Sequence, residues 1–116
     1  MSAGLITVAE TKFFIRQAAA VWSDEDREGF VNFIAANPEA GDVIPETGGV
    51  RKVRWARSGT GKSGGARVIY FFHDAGRPLY LLMVYAKARQ EDMSPAEKKQ
   101  VRQLAALLKG TKPTKA

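Results

Sequence analysis

Three strand patterns follow one another between Val50 and Ala86 with only short connections, and this run restricts what the rest of the chain can form. Val50–Ala56 alternates cleanly: Val53 and Trp55 point one way, Lys52 and Arg54 the other. Ala66–His73 is rich in β-branched and aromatic residues, and Leu79–Ala86 follows after the turn Asp74-Ala75-Gly76-Arg77-Pro78. Consecutive strands with short joints pair antiparallel, and such a sheet needs helices over its apolar face. The helices are legible on both sides. Thr11 caps a helix running to about Trp22. Ser23 caps a second, whose first turn holds Asp24, Glu25 and Asp26 and which Asn37-Pro38 ends. Ser94-Pro95-Ala96-Glu97 is a capping box opening a third helix to about Lys109, stopped by Gly110. Leu5–Ala9 adds a short first strand, and Glu39–Gly49 reads as a loop. The expectation is an α+β fold, a two-layer sandwich. An antiparallel sheet of about four strands packs on a helical hairpin plus a C-terminal helix, in the order β-α-α-β-β-β-α. Residues 1–110 are expected to form one domain and 111–116 a flexible tail.

Composition narrows function mainly by exclusion. At 45% hydrophobic and 26% charged, the chain can bury one core. It has no cysteine, so disulfides and thiolate metal sites are excluded. No apolar run is long enough for a membrane span, and no secretory signal precedes the first strand, so a cytoplasmic location is expected. The net charge is +6, and its placement is informative. No acidic residue lies between Glu46 and Asp74, a stretch that carries Arg51, Lys52, Arg54, Arg57, Lys62 and Arg67. The other twelve basic residues match the twelve acidic ones, so the excess is assigned to this segment. A local positive field favours a polyanion, because Lys and Arg displace condensed counterions from phosphates.

Three motifs with other readings fall away. Ala56-Arg57-Ser58-Gly59-Thr60-Gly61-Lys62-Ser63 has nearly the spacing of a nucleotide-binding P-loop, but it leads through Gly64-Gly65 into a strand. A P-loop needs a helix N-terminus to hold the phosphate. His73 is the single histidine, so neither a His acid/base pair nor a multi-His metal site is available. The acidic cluster from Asp24 to Glu28 suits a helix start. No metal and no cofactor is expected.

The string Gly41-Asp42-Val43-Ile44, Thr47-Gly48-Gly49-Val50-Arg51-Lys52-Val53-Arg54, Gly61-Lys62-Ser63-Gly64-Gly65-Ala66-Arg67-Val68-Ile69-Tyr70-Phe71 and Tyr80-Leu81-Leu82-Met83-Val84-Tyr85-Ala86-Lys87 resembles the HigB-like branch of RelE/ParE superfamily toxins. The resemblance runs from about Gly41 to Lys109, and more weakly over the helical hairpin. It implies a type II toxin–antitoxin system and a ribosome-dependent messenger-RNA endonuclease that inhibits translation. It also implies a cognate antitoxin with a helix-turn-helix domain. The toxin would be a monomer on its own and a hetero-oligomer with its antitoxin. Carried over by position, Lys52, Arg54, Arg67 and Lys87 are the candidate catalytic residues, and Lys62 is the loop lysine. Arg51, Arg57, Lys62, Tyr85 and Arg89 are candidates for RNA or ribosome binding. This chain departs from the family pattern at one place. Ala88, not arginine, follows Lys87, and the last helix has no tyrosine to stack on a base. Tyr85 is the nearest substitute.

RNA brings its own nucleophile, the 2′-hydroxyl. Lys52 is the candidate general base, because Arg54 and Arg67 beside it disfavour a further positive charge. Arg67 is the candidate bidentate grip on the scissile phosphate, with Arg54, Lys62 and Lys87 on the flanking backbone or the leaving oxygen. The competing expectation is a non-catalytic module that uses the same basic face to hold RNA, ribosome or an acidic partner.

Overall fold

The computed structural model describes residues 5–56 and 65–110. The elements are β1 (Val8–Glu10), α1 (Lys12–Val21), α2 (Asp24–Ala36), β2 (Asp42–Val43), β3 (Val50–Trp55), β4 (Ala66–Phe71), β5 (Leu79–Ala86) and α3 (Pro95–Lys109). The α+β class and the three helices stand as expected, and the expected caps close. The Thr11 and Ser23 hydroxyls accept from the backbone N–H groups of Phe14 and Asp26. Ser94 and Glu97 form the reciprocal capping box.

The sheet differs from expectation in three ways. It has five strands in the order β1-β5-β4-β3-β2, and β1 runs parallel to β5, so it is mixed. Parallel pairing follows from the long crossover through the hairpin, which returns the chain to the far edge. The short β2 pairs with β3 inside the segment read as a loop. Finally, the sheet is covered on both faces and is not a simple two-layer sandwich. Phe14, Ala18, Trp22, Phe30 and Ile34 of the hairpin pack on Ala66, Val68, Tyr70, Leu79 and Leu81. Val101 and Ala105 of α3 pack on Val50, Ile69, Phe71, Met83 and Tyr85 of the opposite face. The reason is visible in β4, which is buried at every position and so presents apolar side chains both ways. Fully buried side chains such as Phe14, Phe30 and Ile34 each contribute roughly 1.5–3 kcal/mol.

One irregularity sets which face the end of β5 presents. Tyr70 pairs with Leu81 but Ile69 with Met83, so Leu82 is an extra residue in β5. In a regular strand Met83 and Tyr85 would share the face of Leu79 and Leu81. The bulge moves them across: Leu79 and Leu81 lie with the hairpin, Met83 and Tyr85 with α3.

Candidate functional site

α3 covers only part of its face. Beyond it, β3, β4 and the end of β5 leave a cleft of about 510 Å³ lined by Ala40, Asp42, Lys52, Val53, Arg54, Arg67, Lys87 and Glu91. All four residues expected to be catalytic line this one cleft. Lys52 and Arg54 share a face of β3 because they are two residues apart. Arg54 lies directly opposite Arg67 in the β3–β4 ladder, and Arg67 opposite Tyr85 in the β4–β5 ladder. The backbone N–H of Lys87 donates to the carbonyl of Gly65 at 3.1 Å, extending the pairing past β5.

The Arg54–Arg67 pairing is unfavourable for folding alone, since like charges directly opposite each other destabilise a sheet. Arg67 is also only 9% exposed. Among the described residues neither arginine, nor Lys87, has a carboxylate ion-pair partner. The arrangement concentrates positive charge on one side of the cleft.

Lys52 differs. Its Nζ lies 3.5 Å from Asp92 Oδ1, an ion pair that leaves the side chains 34% and 66% exposed. Asp92 is held in place by its own turn: Oδ1 accepts from Met93 N–H at 2.8 Å, and its carbonyl accepts from Gln90 Nε2 at 2.9 Å. Its carboxyl sits below the usual carboxylate range, through the Met93 N–H first and then the Lys52 ammonium. Sequence reading missed Asp92. Its signal was the Glu91-Asp92 pair immediately before the α3 capping box.

The expected RNA-binding residues divide. Arg57 and Lys62 lie outside the described residues. Arg51 is a correction. It pairs across the ladder with Tyr70, a residue of the hairpin-side core. Its Nη1 donates to the carbonyls of Gly41 at 2.7 Å and Glu39 at 3.3 Å, so it ties down the turn before β2. Tyr70 fastens the same turn, accepting from Gly41 N–H and donating to the Pro38 carbonyl, each at 2.8 Å. Gly41 must be glycine here, since a Cβ would stand 2.9 Å from the Lys52 carbonyl. Arg89 is exposed and stands apart from the cleft, lining a separate depression with Gln17, Ala20 and Val84.

Tyr85 is a second correction. At 4% exposure it offers no ring face to a base, because the bulge turns it under α3 into the apolar cluster. Its hydroxyl is buried without a hydrogen-bond partner. Its pKa is pushed up to about 12, by burial first and then by the Asp92 carboxylate, against the opposing effect of Arg67. His73 lies past the far end of β4, exposed and stacked on Phe71. Among the described residues no group of three or more His, Cys, Asp or Glu is gathered to hold a metal ion.

The fold and cleft define a small α+β protein with a cationic cleft built across adjacent strands. Residues 10–115 match the sequence model of a family described as the RelE toxin of the RelE/RelB toxin-antitoxin system, and the chain belongs to that family. It is therefore a toxin of a toxin–antitoxin system, with an antitoxin as its partner. No described helix is long and apolar enough to cross a membrane.

Proposed function

We propose that this toxin is a ribosome-dependent messenger-RNA endonuclease of the HigB-like branch, acting in the cytoplasm and silenced by a helix-turn-helix antitoxin. The observation that carries the reading is the Arg54–Arg67 cross-strand pair, flanked by Lys52 and Lys87 in one cleft. The 2′-oxygen attacks phosphorus while its proton passes to Lys52, which hands one of its own to the Asp92 carboxylate 3.5 Å away. The phosphorus–5′-oxygen bond breaks, and the leaving oxygen takes a proton from Lys87. The products are a 2′,3′-cyclic phosphate and a 5′-hydroxyl end. Arg67 and Arg54 hold the non-bridging oxygens as charge builds on them. No metal or cofactor enters this scheme. Positioning can supply much of a barrier reduction, which fits a cleft that relies on the ribosome to align the strand.

Translation of a reporter message on purified ribosomes tests this. New message ends at codons in the decoding site are expected with the wild type. Arg67→Ala should lower the cleavage rate about a hundred- to a thousandfold and remove growth inhibition while the protein stays folded. Intact message with bound protein would identify a binding module instead. Full cleavage by Arg67→Ala would refute the assignment of the cleft.

A further inference from the structure

The charge outside the basic segment balances only by cancellation. Residues 1–46 carry eight acidic and three basic side chains, whereas residues 93–116 carry one acidic and six basic. The hairpin helices are nearly neutral, with four acidic and three basic side chains, whereas α3, on the opposite face of the sheet, carries four basic and one acidic.

The cations of α3 are ordered. Val101 and Ala105 face the sheet. At 100° per residue, Lys98, Arg102 and Lys109 then fall along one flank of the helix. The other flank carries Gln100, Gln103 and Leu107, which border an apolar groove with Phe13 and Leu82. That groove lies toward β5, so the cationic flank lies toward β3.

Two observations locate its ends. Lys98 follows the Ser94–Glu97 capping box at the start of α3, just after Asp92, the carboxylate paired with the cleft residue Lys52, and its charge helps hold that carboxyl down. Lys109 Nζ would be 3.6 Å from a Cβ built on Gly48, in the turn between β2 and β3. Among the described residues none of the three cations has an ion-pair partner. From Lys98 to Lys109 the helix rises about 16 Å, a length over which a nucleic-acid strand presents several phosphates.

We propose that the Lys98–Arg102–Lys109 flank of α3 is a second RNA contact, a backbone track that continues the cleft and grips structured RNA independently of base sequence. It rests on the RNA reading of the cleft and extends it. The track holds the ribosome's RNA while the cleft holds the message. An acidic protein surface is the competing occupant, but continuity with a phosphate-binding cleft favours RNA.

The test is binding of the full chain to a synthetic RNA hairpin, by fluorescence anisotropy across a salt series. The triple variant Lys98→Gln/Arg102→Gln/Lys109→Gln should flatten the slope of log K against log salt by about 2 to 3, at 0.7–0.9 per lost phosphate contact. Lys12→Gln/Arg16→Gln removes two cations from the hairpin and should leave the slope as it is, separating local contact from net charge. Its thermal melt and that of the triple variant confirm that both are folded. A triple variant with the wild-type slope overturns the track. If Arg67→Ala still weakens binding in that case, the cleft reading survives. A wild type that binds neither hairpin nor message would overturn both.

Discussion

Replacing Arg67 with methionine should make the protein more stable and inactive at the same time. Methionine keeps the unbranched stem that packs between β3 and β5 but removes the guanidinium. Two costs disappear with it. Cross-strand partners stand about 4.5–5.5 Å apart at Cα, and a like-charge pair in that position destabilises by roughly 0.2–1 kcal/mol. Arg67 lies opposite Arg54 and is only 9% exposed, with no carboxylate partner among the described residues. Desolvation of the charged group adds a further cost, discounted here because Arg67 lines the open cleft. A net gain on the order of 1–2 kcal/mol raises the melting temperature by roughly 5 °C in a chain of this size. The assay is calorimetry in a non-binding buffer, repeated with inorganic phosphate. Phosphate should stabilise the wild type by mass action and leave the variant nearly unmoved. A structural arginine would show the opposite sign, since breaking a buried ion pair destabilises by about 3–5 kcal/mol. A lower melting temperature for Arg67→Met, with a phosphate response equal to wild type, would refute the argument.

Two other changes probe the surroundings of the cleft. Asp92→Asn keeps an oxygen for the Met93 N–H but releases Lys52. An exposed pair is worth up to about 1 kcal/mol, so RNA affinity should rise by at most about fivefold with little change in melting temperature. Weaker binding would show that Asp92 orients Lys52 instead of competing with RNA for it. Tyr85→Phe tests the buried hydroxyl. Its folded pKa of about 12 exceeds the ordinary value of 10.0, so the unfolded chain releases the proton first. Stability is therefore complete below pH 10 and falls between pH 10 and 12, by up to about 2.7 kcal/mol at 1.36 per unit. Denaturant titrations should show the variant equal to or slightly above wild type at neutral pH and losing less at alkaline pH. An identical alkaline loss in both would mean that Tyr85 is not the group responsible.

Helices and central strands were legible because local signals and burial agree there: caps at Thr11, Ser23 and Ser94, and alternation from Val50 to Ala56. What escaped depends on partners distant in sequence. β2 is two residues long and has no pattern of its own; it exists because Asp42 and Val43 meet Lys52 and Arg51. The parallel pairing of β1 with β5 follows from where the hairpin returns the chain, which periodicity does not encode. Asp92 reaches Lys52 across forty positions, and Arg51 was claimed by backbone carbonyls of a turn.

The convergence of the four cations was read from the strand pattern, yet it depends on a feature that pattern does not contain. Simple alternation puts Leu79, Leu81, Met83, Tyr85 and Lys87 on one face, and Leu79 and Leu81 belong to the hairpin side. Without the extra residue at Leu82, Lys87 would project away from Arg67. The same shift that carries Lys87 into the cleft drives Tyr85 under α3, so the strand end cannot offer a cation to the phosphate and that tyrosine to a base together. The absence of a stacking ring in this cleft is thus a consequence of the bulge as well as of a last helix without tyrosine. On the proposed reading, a cleft that grips the backbone without holding a base leaves alignment of the message to a second surface, the role we propose for the cationic flank of α3.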